Sequence, residues 1–256
     1  MSVYTTEIAS ATIPSDNPIH QRLLKAYLEA IPFVSGSVLE LGCGEGRGIE
    51  EIINISDKYT GIDKIEAVIQ RLKKKYPAQR FESGSFPPIP FPDNSFDTII
   101  TFQVIEHIKD DEAFVSELHR VLAPGGTALI TTPNILMTLT RNPWHEREYT
   151  SSQLKSLCLK HFENVEMKGI AGNEKVIAYY NRNKRSVRKI TKYDLLNLQY
   201  RLPNRILRLP YDLLNRVNRN SLQKSNDTLV TSISHQDYFI RDEAAENLDL
   251  FVILRK

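Results

Sequence analysis

The chain has 256 residues, of which 41% are hydrophobic and 25% charged, and its formal net charge is +2. That balance excludes a disordered or fibrous chain, and no run of about 18 apolar residues occurs that could span a bilayer. Its two cysteines are too few for a disulfide framework and no basic-then-apolar leader opens it, so a reducing, cytoplasmic setting is expected.

Residues 1–18, rich in Ser, Thr and Pro, are expected to be irregular. Residues 17–32 read as a helix, with Leu23, Leu24, Tyr27, Leu28 and Ile31 on one face and Pro32 ending it. "GSVLELG" is a short apolar strand, "GRGIEEIINI" a helix entered through glycine, and "KYTGID" a second strand ending at Asp63. A helix through Ile65, Val68, Ile69 and Leu72 follows, then a third strand and turn in "AQRFESGSF". "FDTIITF" is a fourth strand, "DEAFVSELHRVLAPGG" a helix closed by a turn, and "TALITTP" a fifth strand. Beyond a loop lie a capped helix in "TSSQLKSLCLKHF", a sixth strand in "ENVEMKGI" and a last one in "LDLFVILRK". Strands alternating with helices predict one α/β domain over 1–256, a Rossmann-like, doubly wound sheet of seven strands, the last antiparallel.

Residues 173–236 fall between the sixth and seventh strands and form a basic helical insertion. Within it, residues 182–224 hold 12 Lys or Arg against two acidic residues, a local charge of +10, while the rest of the chain sums to −8. Leu195, Leu198, Leu202, Ile206, Leu209, Leu213 and Val217 recur at steps of three and four, with Arg201, Arg205, Arg208, Arg216 and Arg219 beside them; Pro203 and Pro210 are expected to break the helix. Three uses are open: a lid folding its apolar stripe onto the site, a contact with a membrane surface, or a contact with an anionic substrate or partner. Few stacking aromatics accompany the arginines, which disfavours nucleic acid.

The stretch "VLELGCGEGRG" sets four glycines into seven residues between a strand and a helix. Bare backbone at a helix N-terminus brings a ligand against N–H groups. Arg47 stands where a dinucleotide fingerprint needs its third glycine, and no Gly-Lys-Ser/Thr occurs, so neither a nicotinamide nor a Walker phosphate site fits. Glu40 would repel a pyrophosphate but suits an amine, and Asp63 ends a strand where a carboxylate can accept from a ribose.

Here the sequence resembles the class I S-adenosylmethionine-dependent methyltransferases, in particular the branch containing ubiquinone and menaquinone biosynthesis methyltransferases. "VLELGCGEGRG" matches the first motif and "GID" the ribose acid. "FPPIPFPDNSFDTIITFQVIEHI" matches the adenine loop and fourth strand, and "EAFVSELHRVLAPGGTALITTPN" the next helix and strand. The resemblance implies S-adenosyl-L-methionine as cofactor, with Glu40, Gly42, Cys43, Gly44 and Gly46 around its methionine part, Asp63 at the ribose, and Lys64 or Ile65 flanking the adenine. It further implies Gly84, Ser85 and Phe86 at the adenine, and Phe102, Gln103 and His107 near the sulfonium.

The expected reaction is methyl transfer to a small-molecule acceptor, an oxygen of a sugar, lipid-linked or secondary-metabolite substrate, with His145, His107 and Glu106 as candidate bases. Some relatives resemble this chain in a Glu-x-x-Glu-His segment that holds a divalent cation; Gln103 replaces its first carboxylate, so no metal is expected. A cofactor-binding module without catalysis is the rival reading.

Overall fold

The computed structural model describes residues 12–194 and 196–256. Helix α1 (Asn17–Ala30) precedes strand β1 (Ser37–Leu41), and α2 (Ile49–Ile53) leads to β2 (Lys58–Asp63). Next come α3 (Glu66–Lys75), β3 (Arg80–Ser83), β4 (Phe96–Phe102), α4 (Asp111–Val121) and β5 (Leu122–Pro133). The chain continues through α5 (Ser151–Cys158), β6 (Asn164–Gly172), α6 (Glu174–Thr191), α7 (Leu198–Arg201), α8 (Asn204–Ser225) and α9 (Asp227–Ser232) to β7 (Tyr238–Asp242) and β8 (Asp249–Arg255). The helix starts carry their signals: Asp110 caps α4 through Ala113, and Thr150 with Gln153 forms a capping box on α5.

Eight strands form one sheet in the order β3-β2-β1-β4-β5-β8-β6-β7, one more than the seven expected. β1 to β5 are parallel and β8 runs antiparallel to β5, as expected of the last strand. The added strand is β7, "YFIRD", an edge strand paired antiparallel with β6. Its residues alternate too weakly to announce a strand, and pairing against β6 decides it. The helical insertion therefore precedes β7.

Alternation along the strands feeds two cores. Val38, Ile100, Phe102 and Leu129 face one side, under α1 and α3; Leu39, Leu41, Ile99 and Leu254 face the other, under α4 and α5. Between β1 and β4 the strand order reverses, leaving a crevice at the carboxyl ends.

The insertion departs from expectation in two respects. Pro210 sits inside a continuous α8, on its solvent side, where water can reach the carbonyl its missing N–H leaves unbonded; only Pro203 separates α7 from α8. The apolar stripe also points outward among the described residues: Ile206, Leu209, Leu213 and Val217 are exposed, as is Leu198, so these side chains do not fold onto the site. Leu195 lies outside the described residues, as do residues 1–11 of the segment expected to be irregular.

The arginines divide. Arg216 and Arg219 turn inward onto the fully buried Asp16, at 2.8 and 3.0 Å, and Arg208 stacks over Trp144 at 4.3 Å. Asp16 thus latches the insertion to the turn before α1, helped by Ser15 Oγ donating to Asn220 Oδ1. Asp16→Ala strands a buried cation, and is expected to cost about 3–5 kcal/mol of stability in chemical denaturation.

Candidate active site

A cavity of about 330 Å³ opens at the crevice, over the carboxyl ends of β1, β2 and β4. Gly42, Cys43 and Gly44 line it, with Asp63 and Lys64, Gly84, Ser85 and Phe86, Phe102, Gln103 and His107. These are the positions named from the sequence, except Glu40 and Gly46. Ile65, the alternative to Lys64, lines it too, and Leu23, Tyr27, Arg47, Val104 and Ile108 join them, unannounced by the motifs.

The glycines differ in what constrains them. Gly42, Gly44 and Gly46 all have positive φ. A Cβ on Gly42 would lie 2.4 Å from Val104 Cγ2, and one on Gly46 2.7 Å from Leu72 Cδ2, so packing demands those two. A Cβ on Gly44 would meet only Gly42 O, 4.0 Å away, so packing alone does not demand glycine there, and the residue opens on the cavity. Cys43 is buried, and burial raises its thiol pKa, which fits a space-filling residue and not a nucleophile.

Asp63 fixes the rim. Its Oδ2 accepts from Gly44 N and its Oδ1 from Ile65 N, both at 2.9 Å, and each oxygen retains a lone pair for a ligand hydroxyl. Phe86 stacks on Phe114 with centroids 5.6 Å apart, holding a flat apolar wall, and Arg47 supplies a cation to the same cavity. Gln103, at φ +58°, is a non-glycine residue in the left-handed region at the end of β4, where such strain commonly marks a working position.

Glu40 lies beneath the cavity rather than in its wall. Tyr27 Oη donates to its Oε1 at 2.6 Å and Tyr59 Oη donates to its Oε2. Burial raises its carboxyl pKa, against the two phenolic bonds that favour ionisation. A raised folded-state pKa contributes stability that is complete below the ordinary carboxylate value and lost as pH rises through the raised one. Glu40→Gln should therefore show a flatter decline of melting temperature above the ordinary carboxylate range than the parent protein.

Two histidines meet at the cavity's edge, His107 in its wall and His145 just outside it. His107, on the turn Ile105–His107, faces His145 with ring centroids 4.9 Å apart, edge to face. The loop after β5 reaches this turn because Glu146 N and Arg147 N both donate to Glu106 O. His145 sits in a directed chain: Trp144 N donates to Asn142 Oδ1, which turns Asn142 Nδ2 toward His145 Nε2 at 2.7 Å. His145 Nδ1 meets Glu148 Oε1 at 2.7 Å, and Thr138 Oγ1 donates to Glu148 Oε2. Glu106 is buried beneath, accepting from Thr132 Oγ1 at 2.9 Å, and its carboxyl is pushed up to about 7 by burial, with His145 pulling the other way.

His145 also lines a second cavity, of about 220 Å³, between the end of β5 and the insertion. Arg22, Asn142, Asn183, Asn215, Asn218 and Tyr211 give it a polar wall. The two cavities thus adjoin through His107 and His145. Residues from α1, β5, α6 and α8 build the second one, a set no local motif could have disclosed.

Sheet order, crevice and bare glycine turn together define a Rossmann-like domain that receives a nucleoside-type ligand at its switch point. Residues 39–130 match the methyltransferase domain family. A probable S-adenosylmethionine-dependent methyltransferase of Mycolicibacterium smegmatis is 42% identical over 125 residues, covering 47% of this chain and 49% of that protein; the chain spans about half the length of such relatives. Among solved structures, a Thermotoga maritima protein described as an SAM-dependent methyltransferase, possible histamine N-methyltransferase, superposes with a TM-score of 0.59 at 16% identity, covering 93% of this chain and 91% of its own. The [4+2]-cyclase SpnF superposes at 0.56 and 15% identity, covering 92% and 80%. At such identities the superpositions establish the fold and leave the chemistry to the site.

Proposed function

We propose that this protein transfers the methyl group of S-adenosyl-L-methionine to a hydroxyl oxygen of a small polar acceptor, such as a sugar, seated in the second cavity. The observation carrying this is the contact of the two cavities through His107 and His145. The first cavity's residues suit the cofactor: open space over Gly44 accommodates close approach, Asp63 accepts from a ribose, Phe86 offers a face to an adenine, and Arg47 pairs with a carboxylate. When bound, the cofactor supplies an electrophilic methyl group on a positively charged sulfur.

The chain's own residues do the rest. The polar wall of the second cavity orients the acceptor, which converts a bimolecular displacement into one between held partners. His145, oriented by Glu148 through Nδ1, takes the hydroxyl proton at Nε2 once the acceptor displaces Asn142 from that atom. An imidazole so held favours activating oxygen, which must lose a proton, over a neutral amine that can attack without losing one first. Calorimetry with the cofactor, followed by transfer of its labelled methyl group to candidate polyols, tests the reading; cofactor binding without transfer to any acceptor would favour the noncatalytic module.

A second reading is favoured by one observation. Glu106, His107 and His145 each place a ligand atom within 4.8 Å of the others, a spacing that suits a divalent cation holding the acceptor oxygen. Activity unchanged by chelation, and not raised by added divalent ions, removes it.

A further inference from the structure

An ordinary surface helix buries its apolar face and shows water its polar one. α8 does the reverse. Tyr211, Asn215, Asn218 and Arg219 face inward on the second cavity, while Ile206, Leu209, Leu213, Leu214 and Val217 face solvent, Leu209 being 81% and Leu213 67% exposed. At 100° per residue those five outward side chains occupy about 140° of the helix circumference, a continuous apolar strip. Tyr193, Leu196, Leu198 and Tyr200, just before it, are exposed as well. Such a patch on a soluble surface marks a site of attachment.

Charge identifies what attaches. The same insertion exposes Arg185, Arg188, Lys189 and Lys192 from α6 and the turn after it, and Arg201 and Arg205 around the start of α8. Two acidic residues only fall in 182–224, and both are occupied: Asp194 accepts from Leu198 N and Gln199 N, and Asp212 from Trp144 Nε1. A second copy is a poor occupant, because a two-fold contact would set this segment of charge +10 against itself.

We infer that the outer face of α7 and α8 docks on the surface of an anionic phospholipid bilayer, with the leucines in the acyl boundary, the tyrosines at headgroup level and the cations on the phosphates. The contact lies outside both cavities and requires no turnover, so it stands or falls separately from methyl transfer.

Flotation of the full chain with phosphatidylglycerol/phosphatidylcholine vesicles tests it, against phosphatidylcholine alone. Binding is expected on the anionic vesicles and to weaken as salt is added. The double variant Leu209→Glu, Leu213→Glu should partition at least about 10-fold less, since each leucine surrenders its apolar burial, with an unchanged melting temperature because both side chains are exposed. Lys189→Gln and Lys192→Gln should each lower it roughly 5-fold. No binding to anionic vesicles, equal binding to neutral ones, or a protein dimer that the glutamate variant dissolves would overturn the proposal.

Discussion

Gly44→Val is expected to abolish cofactor binding while leaving a folded protein. Beyond its chain neighbours the added Cβ meets no atom nearer than Gly42 O at 4.0 Å, and the branched side chain is expected to reach into the cavity that Gly44 lines. The left-handed φ of +49° adds strain of about 1–2 kcal/mol, tolerable in a domain with two cores. Affinity should fall at least about 100-fold, equivalent to roughly 2.7 kcal/mol, in a calorimetric titration with S-adenosylmethionine and its demethylated product. Gly84→Ala provides the contrast, since its Cβ would meet Ile62 Cγ2 at an ordinary 3.8 Å; a small effect is expected there. Undiminished binding by the valine variant would mean that the ligand does not lie against this turn.

His145→Ala should lower the rate of methyl transfer about 10²–10⁴-fold, the usual contribution of a positioned base, with cofactor affinity unchanged because His145 borders the second cavity and not the first. Glu148→Gln should lose part of the same rate by releasing Nδ1, and raising pH should restore some of it as the acceptor hydroxyl ionises unaided. A metal-ligand role predicts a different pattern: His145→Ala activity recovered by excess divalent ion and insensitive to Glu148→Gln. If both variants turn over at the parent rate, the hydroxyl-activation mechanism fails even though the cofactor site stands.

Much of the first cavity's lining was legible because it is built locally. A strand, a glycine turn and a helix occupy adjacent sequence, and Asp63 ends the next strand, so spacing alone brings Gly44 and Asp63 within hydrogen-bond reach. Arg47 was visible only as a missing glycine; that its side chain would enter the cavity depends on how α1 packs. The phenols that hold Glu40, Tyr27 and Tyr59, come from separate elements joined only by folding. The periodicity of the insertion correctly grouped Ile206, Leu209, Leu213 and Val217 on one side of a helix. It could not say which way that side turns, because direction is set by the ion pairs of Arg216 and Arg219 with Asp16, some 200 residues upstream. β7 was missed for a related reason: a short edge strand draws its identity from its neighbour β6.

Among the described residues, α1 is the one helix bordering both chambers. Leu23 and Tyr27 touch the first, Pro18, Ile19 and Arg22 the second, and the preceding Asp16 grips the insertion. One helix therefore walls both compartments. Any tilt that widens one compartment reshapes the other, so substitutions along α1 should change the Michaelis constants for donor and acceptor in concert, and filling one compartment should alter the grip on the other.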